Sequence, residues 1–303
     1  EQAIKDVEVS GSVVYRYDNI DNSKKDDSRV DRNRYKVGLN LASKVNDYVK
    51  FNSRFIVGGA DSGWATTDAK KDNTASDGNV DVTLSNAYFA LTAIPNTVVN
   101  IGKQGLTTPY TVATDINGNE QNGTGILALT TVGPVTGGLG YFNNQNFNKL
   151  TDINVAAKIT SNYDSFRSVI SGPNLDGTYN TATIIADEGL FDGGDDIYVA
   201  TLQGDLDAVK LESWYLGLQD TFNSYTLAAT SKIDLASDAK IGLEARYVAL
   251  NLSKDAVAVV NNHNGTIGTL SNNDGRDNGM FRLAVDGKFN IVNARVAYTK
   301  TDK

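Results

Sequence analysis

The sequence predicts an all-β fold, an antiparallel β-barrel that spans a membrane. Three observations predict it: alternating apolar and polar residues, strands of about 8–13 residues, and connections that alternate between tight turns and long polar loops. A tilted strand of roughly 9–11 residues crosses a bilayer, whereas ordinary strands have about 5–6 residues. No segment of the chain approaches the ~20 consecutive apolar residues of a membrane helix.

The first strand, residues 7–18 (VEVSGSVVYRYD), shows the alternation. Its valines and tyrosines share one parity, and its charged and hydroxyl residues share the other. A soluble sandwich would turn the valines into a core, whereas a membrane barrel turns them to lipid and the charges to a water-filled lumen. The same pattern recurs in VKFNSRFIV (49–57), IGLEARY (241–247), MFRLAVD (280–286) and VNARVAY (292–298).

Reading the alternation along the chain, we predict 13 strands, at 7–18, 35–43, 48–58, 80–92, 97–104, 125–132, 137–142, 196–204, 208–219, 224–235, 240–252, 279–286 and 289–301. Tight turns are predicted at 46–47, 94–96, 133–134, 205–207, 236–239 and 287–288. Long polar loops are predicted at 19–34, 59–79, 105–124, 143–193 and 253–278, and only 220–223 breaks the alternation. Short turns at one end and long loops at the other are expected of an outer-membrane barrel.

The odd number of strands has a consequence for the domain, since single-chain bacterial barrels have an even number. INVAAKI (153–159) and TATIIA (181–186) are candidates for two further strands, but they leave the total odd. We therefore expect one barrel domain over residues 1–303 that lacks its closing strands, with 16–18 strands in the complete protein.

Composition excludes several classes of function. The chain has 303 residues, no cysteine, one histidine, a net charge of -8 and a pI near 4.7. Disulfides, thiolate metal sites and histidine-based triads are therefore excluded, and His263, in a polar loop, is expected to be solvated. An acidic chain is a poor partner for nucleic acid and favours cations.

Several segments resemble one known family. EQAIKDVEVSG followed by VYRYD, and IGKQGL (101–106) followed by TDINGNEQNGTG (114–125), resemble the major outer membrane porin family of Campylobacter and related bacteria. The resemblance is strong at 1–18 and 101–125 and loose elsewhere. It implies a porin-type barrel of 18 strands in the bacterial outer membrane, in contact with lipid and lipopolysaccharide. It also implies a homotrimer, cation preference and calcium near a constriction.

The segment 105–124 (GLTTPYTVATDINGNEQNGT) is the most informative loop. Long loops without secondary structure are usually functional or disordered. If it folds into the barrel, Asp115 and Glu120 place negative charge at the narrowest point, where charge sets ion selectivity. The opposite wall would carry arginines, with candidates Arg16, Arg54, Arg246, Arg282 and Arg295. The alternative is that 105–124 is an external loop.

Calcium requires several carboxylate or carbonyl oxygens. The resemblance suggests Asp115, Asn119, Glu120 and Asp152 as ligands. The central aspartate of the family's loop aligns with Asn119, which supplies a carbonyl oxygen but no charge. A second acidic cluster, DEGLFDGGDD (187–196), lacks the EF-hand spacing and is expected to be a solvated loop, with a divalent cation as the alternative.

These observations favour a channel with no chemical step, a general diffusion porin for small hydrophilic solutes and cations, rather than an enzyme. Neither GxGxxG at a strand–helix junction nor GxxxxGK[ST] occurs. Paired carboxylates could serve glycoside hydrolysis, but such pairs are common in an acidic chain. The alternatives are a soluble or surface-layer all-β binding protein, and a β-rich glycosidase or adhesin.

Overall fold

The computed structural model describes residues 6–20, 30–59, 62–69, 80–115, 117–147, 169–173, 179–182, 193–236, 238–254, 256–257 and 276–301. These residues fall into two compact units, one from the chain up to Leu127 and one from Ala128 onward. Within the described ranges, strands are the dominant element. No helix in those ranges has both the length and the apolar character to span a membrane.

The first unit is an antiparallel sheet in which neighbours in sequence are mostly neighbours in space. Its strands are β1 (Glu8–Ile20), β2 (Val30–Lys44), β3 (Val49–Gly58), β4 (Ala65–Ala69), β5 (Asp81–Leu91), β6 (Thr97–Gly105) and the start of β7 (Asn122–Val132). The order is β1-β2-β3-β5-β6-β7. The short strand β4 pairs with the first part of β2, where Tyr35 lies opposite Ala65.

The second unit is also antiparallel. Its main strands are β8 (Val135–Gln145), β11 (Ile197–Leu206), β12 (Val209–Leu218), β13 (Phe222–Ala236), β14 (Ala239–Leu252), β15 (Asp277–Phe289) and β16 (Val292–Thr301). They follow one another in that order. The strands β9 (Val169–Pro173) and β10 (Tyr179–Ala182) form a separate two-stranded sheet.

The predicted all-β, antiparallel fold is confirmed. The 13 predicted strands correspond to β1–β3, β5–β8 and β11–β16. The sequence did not predict β4 or β9, which lie in segments taken as loops. The candidate strand TATIIA overlaps β10 only at residues 181–182, and INVAAKI lies outside the described residues.

Several predicted boundaries were wrong. The turn predicted at Gly287 and Lys288 lies instead at Asn290 and Ile291, because β15 continues to Phe289. Asn290 has φ 54°, a left-handed conformation that asparagine adopts at low cost. The loop predicted at 19–34 is also shorter, since β1 and β2 remain paired up to Ile20 and Val30.

Burial is inverted relative to a soluble sheet. On β14 and β15 the apolar side chains face outward: Leu243 is 42% exposed, Phe281 41% and Val285 49%. On the opposite face of the same strands the side chain of Glu244 is only 15% exposed. Val9 and Val13 of β1 are 64% and 79% exposed as well. The apolar faces are therefore the ones that would contact lipid.

Candidate functional site

The connection between β6 and β7, residues 106–121 (the β6–β7 loop), folds back on itself as a hairpin-like finger. The amide of Gln121 donates to the carbonyl of Ala113 (3.1 Å), and Thr114 and Glu120 form an antiparallel bridge. Asp115 holds the tip: its Oδ1 accepts from the amides of Asn117 (2.9 Å) and Asn119 (2.8 Å). This is the turn-forming role for which aspartate is suited.

The loop is anchored to the polar face of the first sheet through Glu120. Arg54 on β3 binds both carboxylate oxygens, with Nε 3.0 Å from each and Nη2 2.8 Å from Oε1. The hydroxyl of Ser85 on β5 donates to Oε2, and the Nζ of Lys36 on β2 lies 3.4 Å from Oε1. Glu120 is 8% exposed, so three neighbouring strands converge on a buried carboxylate.

Two further contacts fix the main chain of the loop. Lys36 donates through Nζ to the carbonyl of Gly118 (2.5 Å), and the amide of Glu120 donates to Oγ of Ser62 (3.0 Å). Gly118 has φ 83°, and a Cβ there would lie 2.5 Å from Nε1 of Trp64. The 62–64 segment and the polar face of β2 thus hold the loop from two directions.

Two residues of β2, Gly38 and Asn40, adjoin the guanidinium of Arg54. A Cβ at Gly38 would lie 2.6 Å from Nη2 of Arg54, so a larger residue there would require the guanidinium to shift from its observed place. Asn40 accepts from Nη1 of Arg54 at 2.8 Å. The guanidinium is therefore held in a fixed plane, as bidentate recognition of a carboxylate requires.

The environment favours the ionised form of Glu120. Burial by itself would raise the pKa of the carboxyl, but the hydrogen bonds from Arg54 and Ser85 and the charges of Lys36 and Arg54 outweigh burial and hold the pKa below its usual range. Glu120 is thus charged at neutral pH, and its charge is compensated locally by two cations.

The residues predicted to form the constriction do not lie together but contact different partners. Asp115, 6% exposed, caps the loop tip and does not present a free carboxylate. Arg54, expected on a wall opposite the loop, instead contacts Glu120 directly. Arg16 pairs with Asp18 at 2.7 Å and is half-exposed. The sequence analysis did not identify Lys36 or Ser85 as partners of the loop. Lys36 could have been found, because it lies among the polar residues that alternate along β2.

The other three arginines form a cluster in the second unit. Arg246 on β14, Arg282 on β15 and Arg295 on β16 surround Glu244: Nη2 of Arg295 lies 2.7 Å from Oε2, and Nε of Arg246 and of Arg282 lie 3.4 Å and 3.8 Å from Oε1. Nε of Arg295 also lies 3.6 Å from Asp286. We call these residues the Glu244 cluster.

The described residues do not fit the expected calcium site. The Glu120 carboxylate is engaged by two cations and a hydroxyl, and Asp115 is engaged by Asn119, whose Nδ2 donates to its Oδ2 at 2.8 Å. A calcium ion at Glu120 would have to displace Lys36 and Arg54. Among the described residues no group of three acidic or histidine side chains comes together, and Asp152 lies outside them.

The second acidic cluster, 187–196, is described only in its last residues. Of the acidic cluster, Asp187, Glu188 and Asp192 lie outside the described residues, as does His263. Asp196 accepts from the hydroxyl groups of Tyr141 (2.9 Å) and Tyr198 (3.4 Å), so part of this cluster is bound to strand tyrosines rather than solvated alone.

Residues 1–302 match the family model described as Campylobacter major outer membrane protein. The chain belongs to this family. The sequence resemblance is thereby confirmed, and the protein is located in the bacterial outer membrane. No curated protein matches the chain.

Solved structures agree on the fold of this Campylobacter major outer membrane protein family member. OccD3 (OpdP) of Pseudomonas aeruginosa is 14% identical with a TM-score of 0.56, over 99% of this chain and 58% of that one. OprD of the same organism is 14% identical with a TM-score of 0.56, over 99% and 60%. OpdK, solved with vanillate, is 12% identical with a TM-score of 0.59, over 98% and 67%. The chain thus spans less than two thirds of the length of OccD3 and OprD, and its fold is that of an outer-membrane porin-type β-barrel.

Proposed function

We propose that the protein is an outer-membrane porin through which small hydrophilic solutes diffuse passively, with no chemical step. The observation that carries this is the inversion of the strand faces: apolar side chains lie outward and ionic side chains are covered on the polar face. A water-filled lumen lined by the polar face accounts for both. A soluble or surface-layer binding protein would have to expose long apolar bands to water, which soluble proteins avoid.

The β6–β7 loop supports the second part of the proposal, a narrowed pore. It is attached to the polar face through Glu120 and not to the apolar face. If the polar face lines the lumen, the loop reduces the cross-section at that height. The anchoring contacts would keep it from moving out of the way.

We further propose a preference for cations. The net charge of -8 supports it, since the field of an acidic protein raises the local concentration of cations. Because Lys36 and Arg54 compensate Glu120, the preference does not come from that residue as a free charge. Assembly as a homotrimer, in lipid and lipopolysaccharide, is what the family resemblance implies and completes the proposal.

Planar-bilayer recording tests the function. Insertion of the purified protein from detergent should raise the conductance in ohmic steps. In a salt gradient, the sign of the reversal potential should be that of a cation-preferring channel. Protein that remains soluble and monomeric without detergent and gives no conductance steps would refute the channel and favour the soluble alternative. Chemical cross-linking in detergent tests the trimer separately.

A further inference from the structure

Lys103 on β6 departs from the pattern of the apolar faces. Ile101 on β6 and Phe89 on β5 lie opposite each other and are 46% and 48% exposed, so side chains of this parity face outward. Lys103 lies two residues beyond Ile101, on the same face, and opposite Ala87. A cation therefore lies on the outer face of the first unit, where a membrane barrel carries apolar side chains.

Lys103 has no hydrogen bond and no ion pair to any described residue. Its neighbour across the strand pair, Ala87, offers only a methyl group, and the lysine is partly exposed. Lysines on the polar parity of other strands each lie 2.7–3.4 Å from a carboxylate, namely Lys36, Lys50, Lys210 and Lys240. A cation without a counter-ion is unfavourable in hydrocarbon, so Lys103 requires an anion from outside the described chain or contact with water.

The position of Lys103 along β6 places it in the half of the apolar band nearer the long loops. The strand begins at Thr97, directly after a tight turn, and Lys103 is its seventh residue. With about 3.3 Å per residue and a tilt of about 40°, Lys103 lies roughly 15 Å from the level of Thr97 in an apolar band about 25 Å tall. From this depth a lysine can extend its ammonium group to the membrane surface while its methylene groups stay among apolar side chains.

The surroundings direct the side chain toward the loops. On the side nearer the turn, the rings of Phe51 and Phe89 pack together with centroids 5.1 Å apart. On the other side, the next residue of the same parity is Gly105, which has no side chain. A Cβ built at Gly105 would have only the carbonyl oxygen of Gln121, at 3.9 Å, within 4 Å. Open space therefore adjoins Lys103 on the side of the long loops.

We propose that Lys103 binds the phosphate group of a membrane lipid in the leaflet next to the long loops. An ammonium group forms short, charge-assisted hydrogen bonds with phosphate oxygens. A lipid brings its phosphate to the membrane surface, and its acyl chains can lie against Phe51 and Phe89. The site rests on the proposed function only in taking this apolar face to be in contact with lipid.

A carboxylate from a second copy of the chain is the alternative partner. Two described carboxylates on the apolar parity, Asp196 and Asp277, already accept hydrogen bonds from Tyr141 and Asn251. Lipid phosphate, in contrast, is present wherever the outer face meets the membrane surface. The observations therefore favour the lipid.

Thermal denaturation of the full chain in a neutral detergent tests the site, with lipid A as the probe and dephosphorylated lipid A as its control. Lipid A should raise the midpoint as its concentration rises, and the dephosphorylated form should not. Lys103→Gln should weaken the apparent affinity for lipid A by about tenfold or more, the loss expected for a charged hydrogen-bonding partner. Lys103→Arg keeps the charge and should retain most of the affinity. Lys50→Gln, which removes a polar-face lysine paired with Glu8, is the matched control and should leave the affinity unchanged.

Lys103→Leu separates lipid binding from folding. It removes a cation from the apolar face, so without lipid A this variant should be at least as stable as the wild type, and lipid A should stabilise it less. Equal stabilisation of the wild type by the two forms of lipid A, or equal losses of affinity in Lys103→Gln and Lys50→Gln, would refute the site.

Two further outcomes would overturn the choice of lipid. Inorganic phosphate that stabilises the wild type as strongly as lipid A at the same concentration would identify free phosphate as the ligand. A smaller fraction of cross-linked oligomer in Lys103→Gln, measured without lipid A, would assign Lys103 to a contact between copies.

The site and the channel fail separately in this design. Conductance steps in a bilayer together with no phosphate-dependent stabilisation by lipid A would refute the lipid site alone. Stabilisation by lipid A that depends on Lys103, in protein without conductance, would refute the channel alone.

Discussion

Arg54 and Glu120 lie 66 residues apart in the chain and form a bidentate ion pair, with Nη2 of the arginine 2.8 Å from Oε1 of the glutamate and Nε 3.0 Å from Oε2. The pair joins β3 to the β6–β7 loop. Because the glutamate is 8% exposed and its neighbours include Lys36 and Ser85, the loop is bound through a group that water does not reach freely. The Glu120 carboxylate is therefore a central anchor of the loop, beside the main-chain contacts of Gly118 with Lys36 and of the Glu120 amide with Ser62.

Glu120→Gln should destabilise the folded protein. It removes the negative charge between Lys36 and Arg54 and leaves two partly buried cations without their partner, which we expect to cost about 2 kcal/mol in the free energy of unfolding. Urea titration of the protein in detergent measures the change, with heat-modifiable gel mobility as the readout of the folded fraction.

Asp47→Asn is the matched control for this loss. Asp47 also pairs with a lysine, Lys44, at 2.8 Å, but its side chain is 84% exposed. An exposed pair contributes little, so stability should be nearly unchanged. Equal effects of Asp47→Asn and Glu120→Gln would show that burial of Glu120 has no energetic consequence.

The anchor should also respond to acid. Since the pKa of Glu120 is lowered in the folded state, its contribution to stability is fully present above the ordinary glutamate pKa of about 4.3 and is lost as the pH falls through the folded-state value. The loop should therefore remain attached at pH 5 and be released only in stronger acid.

Single-channel noise as a function of pH measures this release. In the wild-type protein the noise should rise below the ordinary glutamate range, and in Glu120→Gln it should already be high at pH 7 and change little on acidification. An acid transition of the same size in both proteins would assign the release to another group.

The strands could be predicted from the sequence because alternation is a local property. Within a segment such as 241–247 the apolar and polar residues alternate, and this pattern can be recognised without knowing the rest of the chain. Boundaries such as Phe289 were missed because the turn depends on the left-handed conformation of Asn290, and Gly287 with Lys288 looked like an equally good turn.

The partners of Glu120 could not be predicted in the same way. The register of β3 and β5 shifts between Arg54 and Phe55, so that Asn86 and Leu84 pair across and Ser85 is skipped. This irregularity places Ser85 beside Arg54 at the carboxylate. Nothing in the sequence around residues 83–87 indicates the shift, since it is set by packing between strands.

Gly118→Ala should loosen the loop tip. The residue has φ 83°, which alanine disfavours, and the new Cβ would meet the indole of Trp64. The emission of Trp64 should shift to longer wavelength as the ring is displaced. The chain has two tryptophans, so the measurement uses a Trp214→Phe background.

The control for this change is Gly133→Ala, at a turn glycine with φ 57° where an added Cβ would have no neighbouring atom within 4 Å. It carries the same kind of backbone strain without the contact to Trp64. Fluorescence that shifts equally in both variants would mean that strain, and not displacement of the indole, causes the change.

Removal of divalent cations should leave the β6–β7 loop in place. Glu120 contacts Lys36, Arg54 and Ser85, and Asp115 accepts hydrogen bonds from amides of the loop tip, so protein groups hold both carboxylates in place without a calcium ion. Excess EDTA should change neither the urea midpoint nor the single-channel conductance. If EDTA lowers the stability and added calcium restores it, the protein has a calcium site and the prediction is wrong.

Ion selectivity tests whether the loop borders the pore. Asp115→Asn combined with Glu120→Gln removes two negative charges and leaves Lys36 and Arg54 uncompensated, so the reversal potential in a salt gradient should move toward that of an anion-preferring channel. Lys36→Gln should move it the other way, because Glu120 then keeps only one compensating cation. Asp47→Asn removes one exposed charge at the turn after β2 and should have a smaller effect than either.

Two outcomes would contradict this prediction. If the reversal potential is unchanged in both the double variant and Lys36→Gln, the β6–β7 loop has no part in ion selectivity. If it shifts with the same sign in both, the cause is an altered position of the loop and not its charge.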